Sequence, residues 1–310
     1  MKKIKPLFPL IFLVTLSAFL LAACSSPDET PQQLAFESYR DGNAEVYMVD
    51  VNGENLVRLT DNPAYDGVPN WAPDGQSLAF TSERSGNPDI YVMDAEGGNV
   101  VQLTEGEDAF SVVPAWSPDG TQIIFVSNRT YNIQGDGGHY EIPANPKLWV
   151  MQADGSSPER LTTRIGFDIF PSWSPDGKSV AFMTIRDDNA EIYLKRADQE
   201  EFNLTNHPAQ DANPAFSPDG TKIAFMSDRG GDMDIYIMDI DEGTLTNITN
   251  HPAGDGDPAW SPDGTQLAFI SDRDGNVEIY IMDADGSNVR RITNDPADDI
   301  MPKWRPARER

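Results

Sequence analysis

Apolar and polar residues alternate with period two along most of this chain. Stretches such as "LAF" and "IYIM" place every second residue on one face, the pattern of strands whose sheets pack on other sheets. The pattern also recurs at long range. "WAPDGQSLAF" at 71–80 returns as "WSPDGTQIIF" at 116–125, "WSPDGKSVAF" at 173–182, "FSPDGTKIAF" at 216–225 and "WSPDGTQLAF" at 260–269. Each copy leads through Ser or Thr and an Arg into a Gly- or Asp-rich loop. An aromatic strand follows ("DIYVMD" 89–94, "EIYLKR" 191–196, "DIYIMD" 234–239, "EIYIMD" 278–283), then a tight turn and a short strand ending "LT" or "IT". The leading Trp or Phe of successive copies lie 45, 57, 43 and 44 residues apart, and Trp304 follows 44 residues after the last. Four short strands per unit of about 44 residues predict a β-propeller, because one such sheet cannot bury both its faces and neighbouring blades do it for each other.

The blade count follows from two fragments. Residues 34–50 match the middle of a unit without its beginning, and 299–304, "DIMPKW", match a beginning without a middle. Together they make a sixth blade, so the expected fold is all-β: a six-bladed propeller closed by pairing of N- and C-terminal strands, which removes the open sheet edge. "PDG" supplies the turn between the first two strands, proline presetting φ and glycine admitting positive φ. Trp71, Trp116, Trp173, Trp260 and Trp304 are expected to head the first strand of a unit and to fill the gap between blades.

Repeats of the form W-S-P-D-G-x-x-[ILV]-A-F-x-S-x-R, then [DE]-I-Y-x-M-D, resemble those of the six-bladed propeller of the TolB family. They are similar also to the propellers that precede hydrolase domains in prolyl oligopeptidase relatives. The likeness runs over residues 34–304. TolB carries an α/β domain ahead of its propeller, whereas here nine residues separate Cys24 from the first expected strand. The resemblance implies an extracytoplasmic propeller that binds other proteins of the cell envelope.

The N-terminus adds an address. Lys2, Lys3 and Lys5 precede an apolar run from Leu7 to Ala23, which ends "LAAC". That is a secretory signal over 1–23 with the cleavage pattern of a bacterial lipoprotein, lipidated at Cys24. Residues 24–33 then read as a lipidated cysteine and flexible tether, and 34–310 as the propeller. The expected location is extracytoplasmic, lipid-anchored to a bacterial membrane. Cys24 is the one cysteine, so no disulfide is expected. The formal charge of −27 becomes −30 once the three lysines of the signal are removed. Such a charge repels nucleic acid and offers no polybasic membrane patch. A monomer is expected.

Candidate chemistry gathers where the loops between strands two and three meet the loops that enter the next blade, the top of the ring. Asp66, Ser111, Asp168, Asp211, Asp255 and Asp299 stand five residues before each motif Trp or Phe. Arg40, Arg84, Arg129, Arg186, Arg229 and Arg273 stand four after each motif Phe. Five aspartates around a channel mouth suggest a Ca2+ site, but arginines at matched positions compete for the same lone pairs. Structural ion pairs are therefore expected, with no metal and no cofactor. One unit breaks the rule. Ser111 replaces the aspartate expected to face Arg129, and the insertion 130–147 follows at once. Arg129, Tyr131, His139, Tyr140 and Glu141 are the candidate binding residues, with Glu107 or Asp108 as alternative partners for Arg129. No G-x-S-x-G, H-E-x-x-H or cysteine nucleophile is present in the expected propeller. The expected function is a non-enzymatic, envelope-anchored module that binds an envelope protein or a small ligand. The alternative is a propeller enzyme of lyase or glycosidase type working in the top funnel.

Overall fold

The computed structural model describes residues 32–106, 109–129, 132–135, 138–141, 145–186, 189–196 and 199–307, with backbone alone at 132–135 and 138–141. They belong to one compact unit, Pro31–Arg310. The signal segment, Cys24 and most of the tether lie outside the described residues.

Among the described residues the chain forms strands and turns without helices. Six four-stranded antiparallel sheets make the blades, numbered here from the one that joins the chain ends. Blade 1 runs from the axis outward as Asp299–Trp304, Gln33–Ser38, Glu45–Asp50 and Val57–Arg58. Blade 2 is Asp66–Trp71, Ser77–Ser82, Asp89–Asp94 and Val101–Gln102. Blade 3 is Ser111–Trp116, Gln122–Ser127, Lys147–Gln152 and Glu159–Arg160. Blade 4 is Phe167–Trp173, Ser179–Ile185, Ala190–Arg196 and Phe202–Asn203. Blade 5 is Asp211–Phe216, Lys222–Ser227, Asp234–Asp239 and Leu245–Asn247. Blade 6 is Asp255–Trp260, Gln266–Ser271, Glu278–Asp283 and Arg290–Arg291. Each inner strand touches the next, and Asp299–Trp304 touches Asp66–Trp71, so the ring closes. Closure runs through Leu34 opposite Trp304 and Ser38 opposite Asp299, as the split unit predicts.

The core lies between blades. Phe36, Phe80, Phe125, Phe182, Phe225 and Phe269 are fully buried, one on each second strand. The cluster around Phe80 joins Ala35, Val46, Met48 and Leu59 of blade 1 to Trp71, Leu78, Tyr91 and Met93 of blade 2. Five equivalent clusters complete the circle. Burying each phenylalanine contributes about 1.5–3 kcal/mol, so blade-to-blade contact rather than any single sheet carries the fold.

Two local devices set the geometry. The motif tryptophans end the inner strands instead of heading them, because each inner strand starts five residues earlier at the top. From the far end they tie blades together: the Nε1 groups of Trp173, Trp260 and Trp304 donate to the carbonyls of Ala115, Ala215 and Ala259 at 3.3, 3.2 and 2.9 Å. Second, every inner strand bulges before its proline, with Val68, Val113, Phe170, Asn213, Asp257 and Met301 at φ of 49–56°. Side chains rarely adopt that region. The bulge frees an N–H for a neighbouring blade: Val68 donates to Glu37 and Val113 to the Thr81 hydroxyl.

Candidate binding face

The strand register aligns one polar row across the top of each blade. In blade 2 the row is Asp66, Ser82 and Asp89, and in blade 6 Asp255, Ser271 and Glu278. Blades 1, 4 and 5 repeat it as Asp299–Ser38–Glu45, Asp168–Thr184–Glu191 and Asp211–Ser227–Asp234. Two residues after the hydroxyl comes the arginine. Its Nη2 reaches the inner aspartate at 2.7 Å in Arg84–Asp66, Arg40–Asp299 and Arg229–Asp211, 2.9 Å in Arg273–Asp255 and 3.0 Å in Arg186–Asp168. Its Nε donates to the hydroxyl between, as Arg40 does to Ser38 at 2.8 Å. The guanidinium lies over the Phe and Tyr of the two middle strands, 5.6 and 4.7 Å from their centroids in blade 1. All five aspartates are buried. Burial pushes Asp66 and Asp299 above the usual carboxylate range, against the serine and arginine that bind them. A carboxylate so engaged is a poor cation ligand, and among the described residues no group of three or more His, Cys, Asp or Glu could hold a metal.

The outer acid of each row has its own task. Glu45 accepts the Thr60 hydroxyl at 2.5 Å and Arg58 at 2.8 Å, and so holds the outermost strand. Asp89 and Glu278 do the same through Thr104 and Thr293.

Blade 3 departs from this plan twice. Its row is Ser111, Ser127 and Lys147, with no acid where every other blade has two. Arg129 donates from Nη2 to the Ser111 hydroxyl at 2.9 Å and from Nε to Ser127 at 3.1 Å. Its guanidinium lies over Phe125 and Trp149, at 5.0 and 5.4 Å, Trp149 replacing the tyrosine of the other blades. Among the described residues it has no carboxylate partner. Burial pulls its pKa down, and the charge of Asp89 in the next blade only partly opposes this. Lys147 swings to blade 4, reaching Asp168 at 2.9 Å and the Gly166 carbonyl.

Beside this row, blade 4 exposes Ile165, Phe167 and Ile185, Phe167 standing opposite Ile185. At the place of Ile185, blades 5 and 6 carry Asp228 and Asp272, which accept the backbone N–H of Gln210 and Gly254. Isoleucine can do no such capping, so its apolar surface faces solvent.

The chain matches the TolB beta propeller domain over residues 14–141 and 140–310. It belongs to the TolB β-propeller family. It is 30% identical over 154 residues to the protein TolB homolog of Chlorobium chlorochromatii (strain CaD3), a stretch that covers 50% of this chain and 31% of that protein. Among solved structures it resembles TolB from Acinetobacter baumannii, with a TM-score of 0.74, 24% identity, and coverage of 89% of this chain and 67% of the other. A weaker likeness is to an oligogalacturonate lyase in complex with manganese, with a TM-score of 0.53, 16% identity, and coverage of 80% and 85%. At these identities the two structures speak for the fold alone.

On this TolB-type ring the residues expected from sequence fall into three groups. The Asp and Arg positions meet in the five rows above. Arg129 meets Ser111 and Ser127. The insertion adds a two-stranded hairpin, Asn132–Gly135 with Gly138–Glu141, whose backbone sets His139 opposite Gln134, Tyr140 opposite Ile133 and Glu141 opposite Asn132. The side chains of those three lie outside the described residues, as do Tyr131, Glu107 and Asp108. Lys147, expected as the end of the insertion, instead opens the third strand.

Sequence reasoning missed Lys147 and the apolar trio. The signal for Lys147 was present, since aligning the aromatic strands puts it in a column otherwise filled by Glu45, Asp89, Glu191, Asp234 and Glu278. It also missed a polar group on the inner side of the ring. Buried Glu37 accepts the Tyr65 hydroxyl at 2.8 Å and the Val68 N–H at 3.0 Å. Burial raises its pKa, and the charge of Asp257 adds to the effect. Asp257 accepts from Asn213, and burial raises it against the attraction of Lys303, which is itself lowered by burial.

Proposed function

We propose that this chain is an extracytoplasmic, lipid-anchored and non-enzymatic propeller that binds an envelope partner on the top of blades 3 and 4. The observation that carries this is the acid-free row Ser111–Ser127–Lys147 with its guanidinium, set in a ring whose other five rows each pair an inner aspartate with their arginine. The exposed Ile165, Phe167 and Ile185 beside it supply apolar contact area. Tyr131, His139, Tyr140 and Glu141 of the insertion are proposed to frame the same surface. Anchoring by Cys24 follows from the "LAAC" signal, and membership of the TolB family supports a site outside the cytoplasm.

Capture of partners from a detergent extract of the envelope tests the reading. Arg129→Ala at a hot spot is expected to weaken the captured complex by about 2 kcal/mol, roughly 30-fold. Deletion of 130–142 is expected to do at least as much while leaving the propeller folded. A partner that binds both variants as tightly as the parent protein places the site elsewhere. The enzyme reading draws on a specific observation too, the pair of raised carboxylates Glu37 and Asp257 on the inner side. An enzyme there would keep its turnover without the loop and lose it in Asp257→Asn.

A further inference from the structure

The ring holds its own standard for what blade 3 lacks. In blades 1, 2, 4, 5 and 6 a buried carboxylate at the top of the inner strand meets an arginine Nη2 within 3.0 Å. In blade 4 it also accepts the second-strand hydroxyl, Thr184 to Asp168 at 2.5 Å. In blade 3 these donors remain while the carboxylate is gone. Serine is shorter than aspartate by one carboxyl oxygen and one carbon, so Ser111 leaves the end of the space empty of charge. The donors have taken lesser acceptors. Ser127 turns its hydroxyl to the Phe110 carbonyl at 2.6 Å and stands 3.5 Å from the Ser111 oxygen. Arg129 donates to Ser111, a neutral oxygen. The guanidinium has not swung away toward solvent, because Phe125 and Trp149 hold it flat in the place its five counterparts occupy. A half-buried cation without a counter-charge keeps part of its desolvation cost unrelieved, and charge-assisted bonds to a carboxylate are stronger than those to a hydroxyl.

We propose that blade 3 is a socket for an exchangeable carboxylate, which displaces the Ser111 hydroxyl as the acceptor of Arg129 and sits as the aspartates of the other blades sit. Formate is the smallest ligand of this class. The same chemistry could arrive as a free small anion or as a carboxylate on another chain. The socket shares Arg129 with the proposed docking face, yet its test needs only the purified protein, so either idea can fail without the other.

The experiment is thermal unfolding and titration calorimetry with sodium formate, against sodium chloride at equal ionic strength. The parent protein is expected to show a saturating rise in Tm, about 5 °C or more at a hundredfold excess over Kd. Ser111→Asp supplies the carboxylate within the chain, so it is expected to raise Tm without formate and to abolish the formate response. Asp255→Ser builds a second socket in blade 6, and its lowered Tm is expected to recover in formate more than in chloride. This arm tests the design of the socket even where Ser111→Asp folds poorly, and Arg129→Lys in the parent protein is then expected to abolish the formate response. N-acetylglycine separates the two sources: binding as tight as that of formate means a socket open to chain carboxylates, and formate binding alone means a closed anion site. The proposal is overturned if the parent protein does not respond to formate beyond chloride, whatever Asp255→Ser does. It is overturned equally if Glu107→Gln or Asp108→Asn creates a formate response that the parent protein lacks, since an acid of the chain then already fills the socket.

Discussion

Closure of the ring predicts a large penalty for a small truncation. Removing residues 299–310 deletes the inner strand of blade 1, which pairs with Gln33–Ser38. Trp304 is 6% exposed and donates to the Ala259 carbonyl. Losing a side chain of that size from a core costs about 3–5 kcal/mol. Asp299 is fully buried beneath Arg40, and stripping one partner from such a pair costs about 3–5 kcal/mol more, because the guanidinium stays lodged over Phe36 and Tyr47. The two terms, about 6–10 kcal/mol together, already rival the 5–15 kcal/mol that holds a typical domain together, before the lost ladder bonds and the open edge are counted. The truncated protein is expected to lose its cooperative transition by circular dichroism or to elute as aggregate. Trp304→Ala alone should stay folded, with Tm lower by about 6–20 °C at roughly 2–4 °C per kcal/mol. A synthetic peptide of residues 299–307 added to the truncated chain should restore part of the transition. If the truncated protein melts within two or three degrees of the parent, the inner strand does not close the ring and the argument is refuted.

Other measurements reach further. Cys24→Ser should move the protein from the detergent phase to the aqueous phase after Triton X-114 extraction; a parent protein already in the aqueous phase refutes the anchor. Lys147→Ala should lower Tm by a few degrees, as Asp168 loses one of its two cations and keeps Arg186 at 3.0 Å; a blade-3-only role for Lys147 would leave Asp168→Asn and Lys147→Ala additive. Glu37 has a raised pKa in the folded state, so its contribution is fully present below the unfolded carboxylate value and is lost as pH rises through the raised one. The Tm of the parent protein relative to Glu37→Gln should therefore be highest in mild acid and fall toward neutral pH, and the opposite slope would contradict its burial as the dominant cause.

The fold was legible because it is written several times. Period-two alternation, "PDG" turns and a constant spacing all report on local chemistry that each blade repeats, and the split sixth unit gave the closure. The position of the tryptophans was misread because the strand starts five residues earlier and runs through a bulge before proline, whose φ near 50° no propensity announces. The top rows were half legible. Asp and Arg columns stand at a fixed separation of 18 residues, which the hairpin register turns into contact. Lys147 was hidden by the insertion, which pushed it out of alignment with Glu45 and its equivalents. Ile165, Phe167 and Ile185 could not be called exposed from sequence, since alternation assigns the same pattern to a buried strand end. Glu37 and Asp257 act on each other through charge from neighbouring blades, a relation that no sequence spacing announces.

The insertion in blade 3 hangs from Ser127 and Lys147, which are paired across neighbouring strands. Its two ends therefore stand about 5 Å apart whatever lies between them. Loop-closure entropy grows only by about 0.6 kcal/mol per doubling of length, so the 13 residues added relative to the blade 2 loop cost about 1 kcal/mol. The row beneath is free of the acids that elsewhere lock the hairpin, while Lys147 bolts the third strand to blade 4 instead. Blade 3 is thus a grafting port: a foreign epitope or affinity sequence with meeting ends, spliced between these two residues, would ride on the ring without loosening it.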